Sequence, residues 1–307
     1  MFQILYCFAL VFGLFPSVAY SAPAHEVWVH QGSLSPAQVQ RWNSDASAKS
    51  RELLIVWDFP QASDLDQVLR VTGMTRIRVE TQRPPRTELE RWKKLAAKGV
   101  EWIGMSGDFP LAYEFQALRE IRFPKATLVL SNFPEPAEGE LLSTLETPLA
   151  LSFNAGKLPT FSTKPGFEPL RVETPLLFVA DYWPFYSHMD FFNLIPQRVR
   201  LRIRDSFPYG MAIEYLANIQ RLEEIAVQVD FEPSQAQWQS LPQGVPLVWI
   251  PRAAVPTEKA IRTLEGVRSR AAPTRIVIDS DTPLTAVERA RLERSAFSVE
   301  WIRSAPR

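Results

Sequence analysis

The sequence predicts an α/β protein of about twelve repeated β/α units with parallel strands, arranged as an open solenoid in preference to a closed barrel. Three observations carry this. Short β-type runs recur about every 25 residues between Val27 and Val299. Most are followed by a turn signal and then a helical pattern. Two distant modules also match without a gap. Thr75-Arg76-Ile77 aligns with Thr274-Arg275-Ile276, Pro84 with Pro283, and Val100-Glu101-Trp102-Ile103 with Val299-Glu300-Trp301-Ile302.

The strand candidates are, in order, Val27–Val29, Leu53–Trp57, Arg76–Glu80, Val100–Met105, Thr127–Ser131 and Leu149–Phe153. They continue as Leu176–Ala180, Val199–Arg204, Ile225–Val229, Leu247–Ile250, Arg275–Ile278 and Val299–Ile302. Most are rich in β-branched and aromatic residues. Helical patterns are expected at Ser35–Trp42, Asp64–Val71, Thr87–Ala97, Tyr113–Ile121, Met211–Leu222, Thr257–Val267 and Thr285–Ser295.

The turn after the strand repeats as well. It reads Asp58-Phe59-Pro60, Asp108-Phe109-Pro110, Asn132-Phe133-Pro134, Asp181-Tyr182-Trp183-Pro184 and Asp205-Ser206-Phe207-Pro208, with variants beginning at Asp230 and Asp279. Asp or Asn accepts hydrogen bonds from free backbone amides in a turn. Proline suits the first helical turn, where its missing donor is not needed. The pattern breaks once, at 155–174, where three prolines, two glycines and no helical period predict an irregular loop.

The choice between solenoid and barrel rests on count and patterning. Eight β/α units of about 30 residues close the common barrel, and twelve shorter ones do not fit that count. The unit length resembles that of leucine-rich-repeat horseshoes in period and architecture, although their consensus residues are met only once, at Leu222-x-x-Ile225-x-Val227-x-x-Asp230. Val199, Leu201 and Ile203 alternate with Arg198, Arg200, Arg202 and Arg204, which predicts one wet sheet face. A TIM-like barrel with extra strands is the alternative.

Residues 1–21 read as a secretory signal: an apolar run from Phe2 to Phe15, then small residues around Ser21, although no Lys or Arg precedes the run. The expected domain layout is this signal, then one repeat domain over 22–307. The single cysteine, Cys7, falls in the signal, so the mature chain would carry no thiol chemistry. An exported chain without disulfides or glycosylation sequons suits a bacterial periplasm or secretion from a bacterium. With 34 basic and 34 acidic residues, the chain is not expected to bind nucleic acid, and no later apolar stretch predicts a membrane span. No metal-binding, dinucleotide or phosphate-loop motif occurs, so no cofactor or metal is expected.

Three constellations are candidates for chemistry or binding. The first is the strand-end acids Asp58, Glu80, Asp108, Asp181, Asp205, Asp230 and Asp279. In a barrel they would gather at the catalytic end, with Asp181, Asp205 and Asp230 as acid, base or nucleophile for glycosidic cleavage. Their recurrence in nearly every unit points instead to turn work. The second is the aromatic stretch containing Tyr182, Trp183, Tyr186 and His188. Here rings beside carboxylates suit a sugar platform, and His188 suits a base oriented by Asp181 or Asp190. A plain aromatic core is the competing assignment. The third is the arginine rows, Arg76 with Arg78 and Arg198, Arg200, Arg202 with Arg204, which could grip carboxylates or phosphates, or pair with Glu80, Glu101 and Glu300 on neighbouring strands.

The expected function is that of an exported, non-catalytic repeat protein binding a protein, peptide or cell-wall glycan. A glycoside-hydrolase-like barrel, or a degenerate barrel that keeps only sugar binding, is the alternative.

Overall fold

The structure, a computed structural model, describes residues 25–45, 51–107, 109–145, 149–170, 175–252, 255–267, 274–280, 282 and 284–304. The expected signal segment, Cys7 and Asp108 lie outside these described residues.

All twelve expected runs are strands. They are β1 (His25–Gln31), β2 (Arg51–Trp57), β3 (Arg76–Thr81), β4 (Glu101–Ser106), β5 (Ala126–Leu130) and β6 (Leu149–Gly156). The series continues with β7 (Leu176–Ala180), β8 (Val199–Arg204), β9 (Leu222–Val229), β10 (Leu247–Pro251), β11 (Thr274–Asp279) and β12 (Ser298–Ser304). Between them lie α1 (Pro36–Ser44), α2 (Ala62–Arg70), α3 (Leu89–Ala97), α4 (Ala112–Ile121), α5 (Pro136–Ser143) and α6 (Lys164–Phe167). Then come α7 (Tyr186–Leu194), α8 (Met211–Asn218), α9 (Gln235–Ser240), α10 (Glu258–Val267) and α11 (Ala286–Arg294). The irregular segment holds a 3-10 turn at Phe161–Thr163 and the short α6, so it is less devoid of helix than its prolines suggest.

The strand order is β1-β12-β11-β10-β9-β8-β7-β6-β5-β4-β3-β2, closed into a barrel. This corrects the open solenoid. Closure leaves no strand edge with unpaired backbone groups. The two matching modules fall at β3–β4 and β11–β12 of this twelve-strand ring.

The chain packs as two compact units, one built mainly on Glu26–Phe153 and one on Asn154–Lys164 with Pro175–Arg303. In the first unit, Trp28 of β1 meets Trp42 of α1, and Trp102 of β4 stacks on Phe123, which in turn meets Trp92 of α3. These contacts mark the strand face that packs against helices. Trp102 also donates from Nε1 to Thr81 Oγ1 at 2.9 Å. Gly104 leaves room for that indole: a Cβ there would lie 2.3 Å from the ring.

The opposite strand face carries the charged residues, and it is not the wet face that alternation predicted. Arg78 is 2% exposed and forms an ion pair with Glu52 at 2.9 Å. Arg76 is bound by Glu101 at 2.7 Å and lies 3.5 Å from Glu52. In the second unit, Arg200 and Glu223 pair at 2.9 Å, Arg202 donates to Gln228 at 2.8 Å, and Arg275 approaches Glu224 and Glu300 at 3.6 and 3.9 Å. The parallel register places opposite charges on adjacent strands, as with Arg78 opposite Glu101. A buried charge is tolerated only when so compensated.

Many of the helices share one start. The third helical residue turns its side chain back to accept the N–H of the N-cap residue. This occurs from Ser35 to Gln38 (2.9 Å), Gln61 to Asp64 (3.0 Å), Leu111 to Glu114 (2.7 Å), Glu135 to Glu138 (2.8 Å), Ser234 to Gln237 (2.8 Å) and Thr285 to Glu288 (2.7 Å). Each such bond satisfies a backbone donor that the helix itself leaves open. The repeat is therefore written in the N3 acceptor as well as in the Asp-aromatic-Pro turn.

Candidate ligand-binding rim

The second unit presents its strand ends as a row. Ala180 of β7 is in register with Ile203 of β8, Ile203 with Val227 of β9, and Val227 with Trp249 of β10. The residues just beyond these positions therefore lie side by side at one rim.

Asp181 follows β7, and its Oδ1 accepts from Arg204 Nε at 2.8 Å. Its own N–H donates to Gly156 O at 3.2 Å. Gly156 adopts φ +67°, and a Cβ there would stand 3.0 Å from Asp181 Oδ2, so glycine is what lets β6 close over this carboxylate. Asp205 follows β8 with φ +61°, donates its N–H to Gln228 O at 2.8 Å, and is paired with Arg252 after β10. The rim thus carries two carboxylates and two guanidiniums in neighbouring pairs. Asp58, in the other unit, accepts from Gln82 at 2.7 Å in a comparable position. Asp230 is exposed.

Beside Asp181 the aromatic turn folds into a stack. Tyr182 and Phe185 lie nearly parallel, with centroids 5.7 Å apart and planes 21° apart, and both rings approach the His188 imidazole at 5.8 and 5.9 Å. Tyr182 is further fixed by the Leu158 N–H, which donates to its hydroxyl at 3.2 Å. Phe185 is 57% exposed, so it offers ring surface to solvent while Tyr182 and His188 hold it from behind. Tyr186 is also exposed, whereas Trp183 is buried and offers no platform.

His188 is buried, and its Nδ1 accepts the Phe185 N–H at 2.9 Å. It thus occupies the N3 position that Asp, Glu or Gln fills in α1, α2, α4, α5, α9 and α11, and burial pushes its imidazole below the ordinary value. Its engaged nitrogen serves the start of α7. Arg76, Arg78, Arg200 and Arg202 sit in the charged strand faces described above.

Tyr209 escaped the sequence reading, whereas Phe185 and Arg204 were read only as members of the aromatic stretch and of the arginine row. Phe185 had a detectable signal. It is the N-cap of α7, a position that favours Ser, Thr, Asp and Asn. A large ring there departs from that preference, and it stays 57% exposed although it packs on Tyr182 and His188.

Among the described residues no group of three or more His, Cys, Asp or Glu side chains could hold a metal ion, and no helix is long and apolar enough to cross a membrane. The chain matches no family model, and no curated protein is similar enough to serve as a relative.

Proposed function

We propose that this chain is an exported, non-catalytic carbohydrate-binding barrel whose ligand stacks on Phe185 and is hydrogen-bonded by the Asp181–Arg204 pair. The observation that carries this reading is the preformed platform: an exposed ring backed by two others, adjacent to a fixed donor and acceptor. A pyranose has an apolar face of C–H groups and an equatorial edge of hydroxyls. The first suits an aromatic face and the second suits planar side chains that accept and donate together. Because the stack is already assembled, little side-chain freedom is lost on binding.

The arrangement favours binding over hydrolysis. A glycosidase sets two carboxyl groups across the scissile bond, roughly 5 to 9.5 Å apart, one of them free to deliver a proton. At this rim Asp181 and Asp205 are each held by an arginine.

The test is equilibrium binding of the mature chain to immobilised neutral polysaccharides, with product analysis of the same incubations. Retention without new reducing ends is expected, and Phe185→Ala should lower affinity about tenfold, the weight of one ring contact. Cleavage that disappears in Asp205→Asn would replace this reading with the hydrolase.

A further inference from the structure

Resting on that reading, we infer that His188 is the positioning residue of the platform and makes the site acid-sensitive: ligand is held while the imidazole is neutral and released when it gains a proton. The contacts run through Phe185. Its N–H donates to His188 Nδ1 at 2.9 Å, and its ring lies 5.9 Å from the imidazole. The Tyr182 ring, stacked on Phe185, lies 5.8 Å from the same imidazole. One side chain thus holds both the backbone and the ring of the residue that meets the sugar.

A neutral imidazole accepts at one nitrogen and donates at the other, whereas the imidazolium donates at both. A proton on Nδ1 would point at the Phe185 N–H and turn the hydrogen bond into a meeting of two donors. Aromatic rings attract a cation. The imidazolium cannot, however, keep Nδ1 against that N–H while it faces Tyr182 and Phe185, and its burial disfavours the charge. Protonation therefore turns the ring away and frees the N-cap of α7, which is Phe185 itself.

The choice of residue is particular to this helix. Among the seven described helices whose N3 side chain accepts the N-cap N–H, six use Asp, Glu or Gln, and α7 alone uses histidine. Histidine is the side chain whose ordinary titration falls near neutral pH. The same helix alone among the seven has an aromatic N-cap. The titratable groups on the surrounding elements are Asp181 (paired with Arg204) and Tyr182 beyond β7, Asp190 on α7, Glu214 and Tyr215 on α8, and Lys157 and Lys164 flanking the 3-10 turn that packs on α7. Of these, Tyr182 touches the imidazole, and it is burial and the Phe185 N–H that set the imidazole's titration.

The experiment measures retention of the chain on cellulose, chitin and starch from about pH 4 to 8, with circular dichroism confirming the fold and NMR giving the His188 pKa. Wild-type affinity should fall about tenfold per pH unit below that pKa. His188→Ala should weaken binding at every pH. His188→Gln should recover most of that loss, as Gln38 and Gln237 make the same bond, and its profile should lack the step at the imidazole's pKa. A step that persists in His188→Gln would overturn the inference, while loss of retention in Phe185→Ala would leave the platform standing. Retention on none of the three polymers would overturn the sugar reading, and the Phe185 amide resonance then decides for His188. It should move with the imidazole's titration in the wild type, and an amide that ignores that titration would overturn the inference on its own.

Discussion

Glu80 gives the most direct test of the charged strand face. It is 3% exposed, and its Oε2 has no hydrogen-bond partner among the described residues. Burial raises its pKa to about 8, against a partial offset from the Arg78 guanidinium beside it. In the unfolded chain the carboxyl ionises near 4.5, while the folded chain keeps the proton until about pH 8. The folded state therefore binds more protons between these values, and stability falls as pH rises through that window. The slope is about 1.4 kcal/mol per pH unit. The accumulated cost is on the order of 3 kcal/mol at pH 7 and 4 to 5 kcal/mol above pH 8. Glu80→Gln keeps the shape and removes the titration, and Arg78 retains Glu52 at 2.9 Å. Urea unfolding of both proteins at pH 5, 7 and 9 should show a small difference at pH 5 that grows with pH in favour of the variant. A difference that does not change with pH, or a variant that is less stable at pH 9, would refute the reasoning.

Other predictions concern the elements that hold the rim. His188→Gln should keep the start of α7, because Gln38 and Gln237 do the same work elsewhere, whereas His188→Ala should cost about 1 kcal/mol in chemical denaturation. The folded pKa of His188 lies below the ordinary 6.5, so its contribution is fully present above that pH and is lost as pH falls through it. The glutamine variant should lack this acid-side loss. Gly104→Ala places a methyl group 2.3 Å from the Trp102 ring and displaces the indole from Thr81. A destabilisation of about 1 to 3 kcal/mol, visible as a lower Tm with altered tryptophan fluorescence, is expected.

The strands were legible because they are short β-prone runs, seven of them closed by an Asp- or Asn-led turn with proline, a signal contained within a few residues. Closure was not legible, since it depends on which strands become neighbours at the two ends of the order. The alternation of arginines in β8 was read as wet for the same reason. Its partners Glu223 and Gln228 are more than twenty residues away and become neighbours only through parallel pairing. His188 looked like a base because a lone imidazole beside carboxylates invites that assignment. Its equivalence to Asp64, Glu114 and Gln237 emerges only when the helices are aligned on their N-caps. Asp181 and Tyr182 were visible as candidates. Arg204 was visible only as one of a row, and its separation from Arg200 and Arg202 follows from its place at the end of β8.

The measurement closest to the central claim is a crystal structure of the chain soaked with a neutral oligosaccharide from the polysaccharide that retains it in the binding assay. A pyranose face stacked on Phe185, with hydroxyls within hydrogen-bond distance of Asp181 or Arg204, is the result predicted. Sugar density at another surface, with Phe185 bare, would contradict the account.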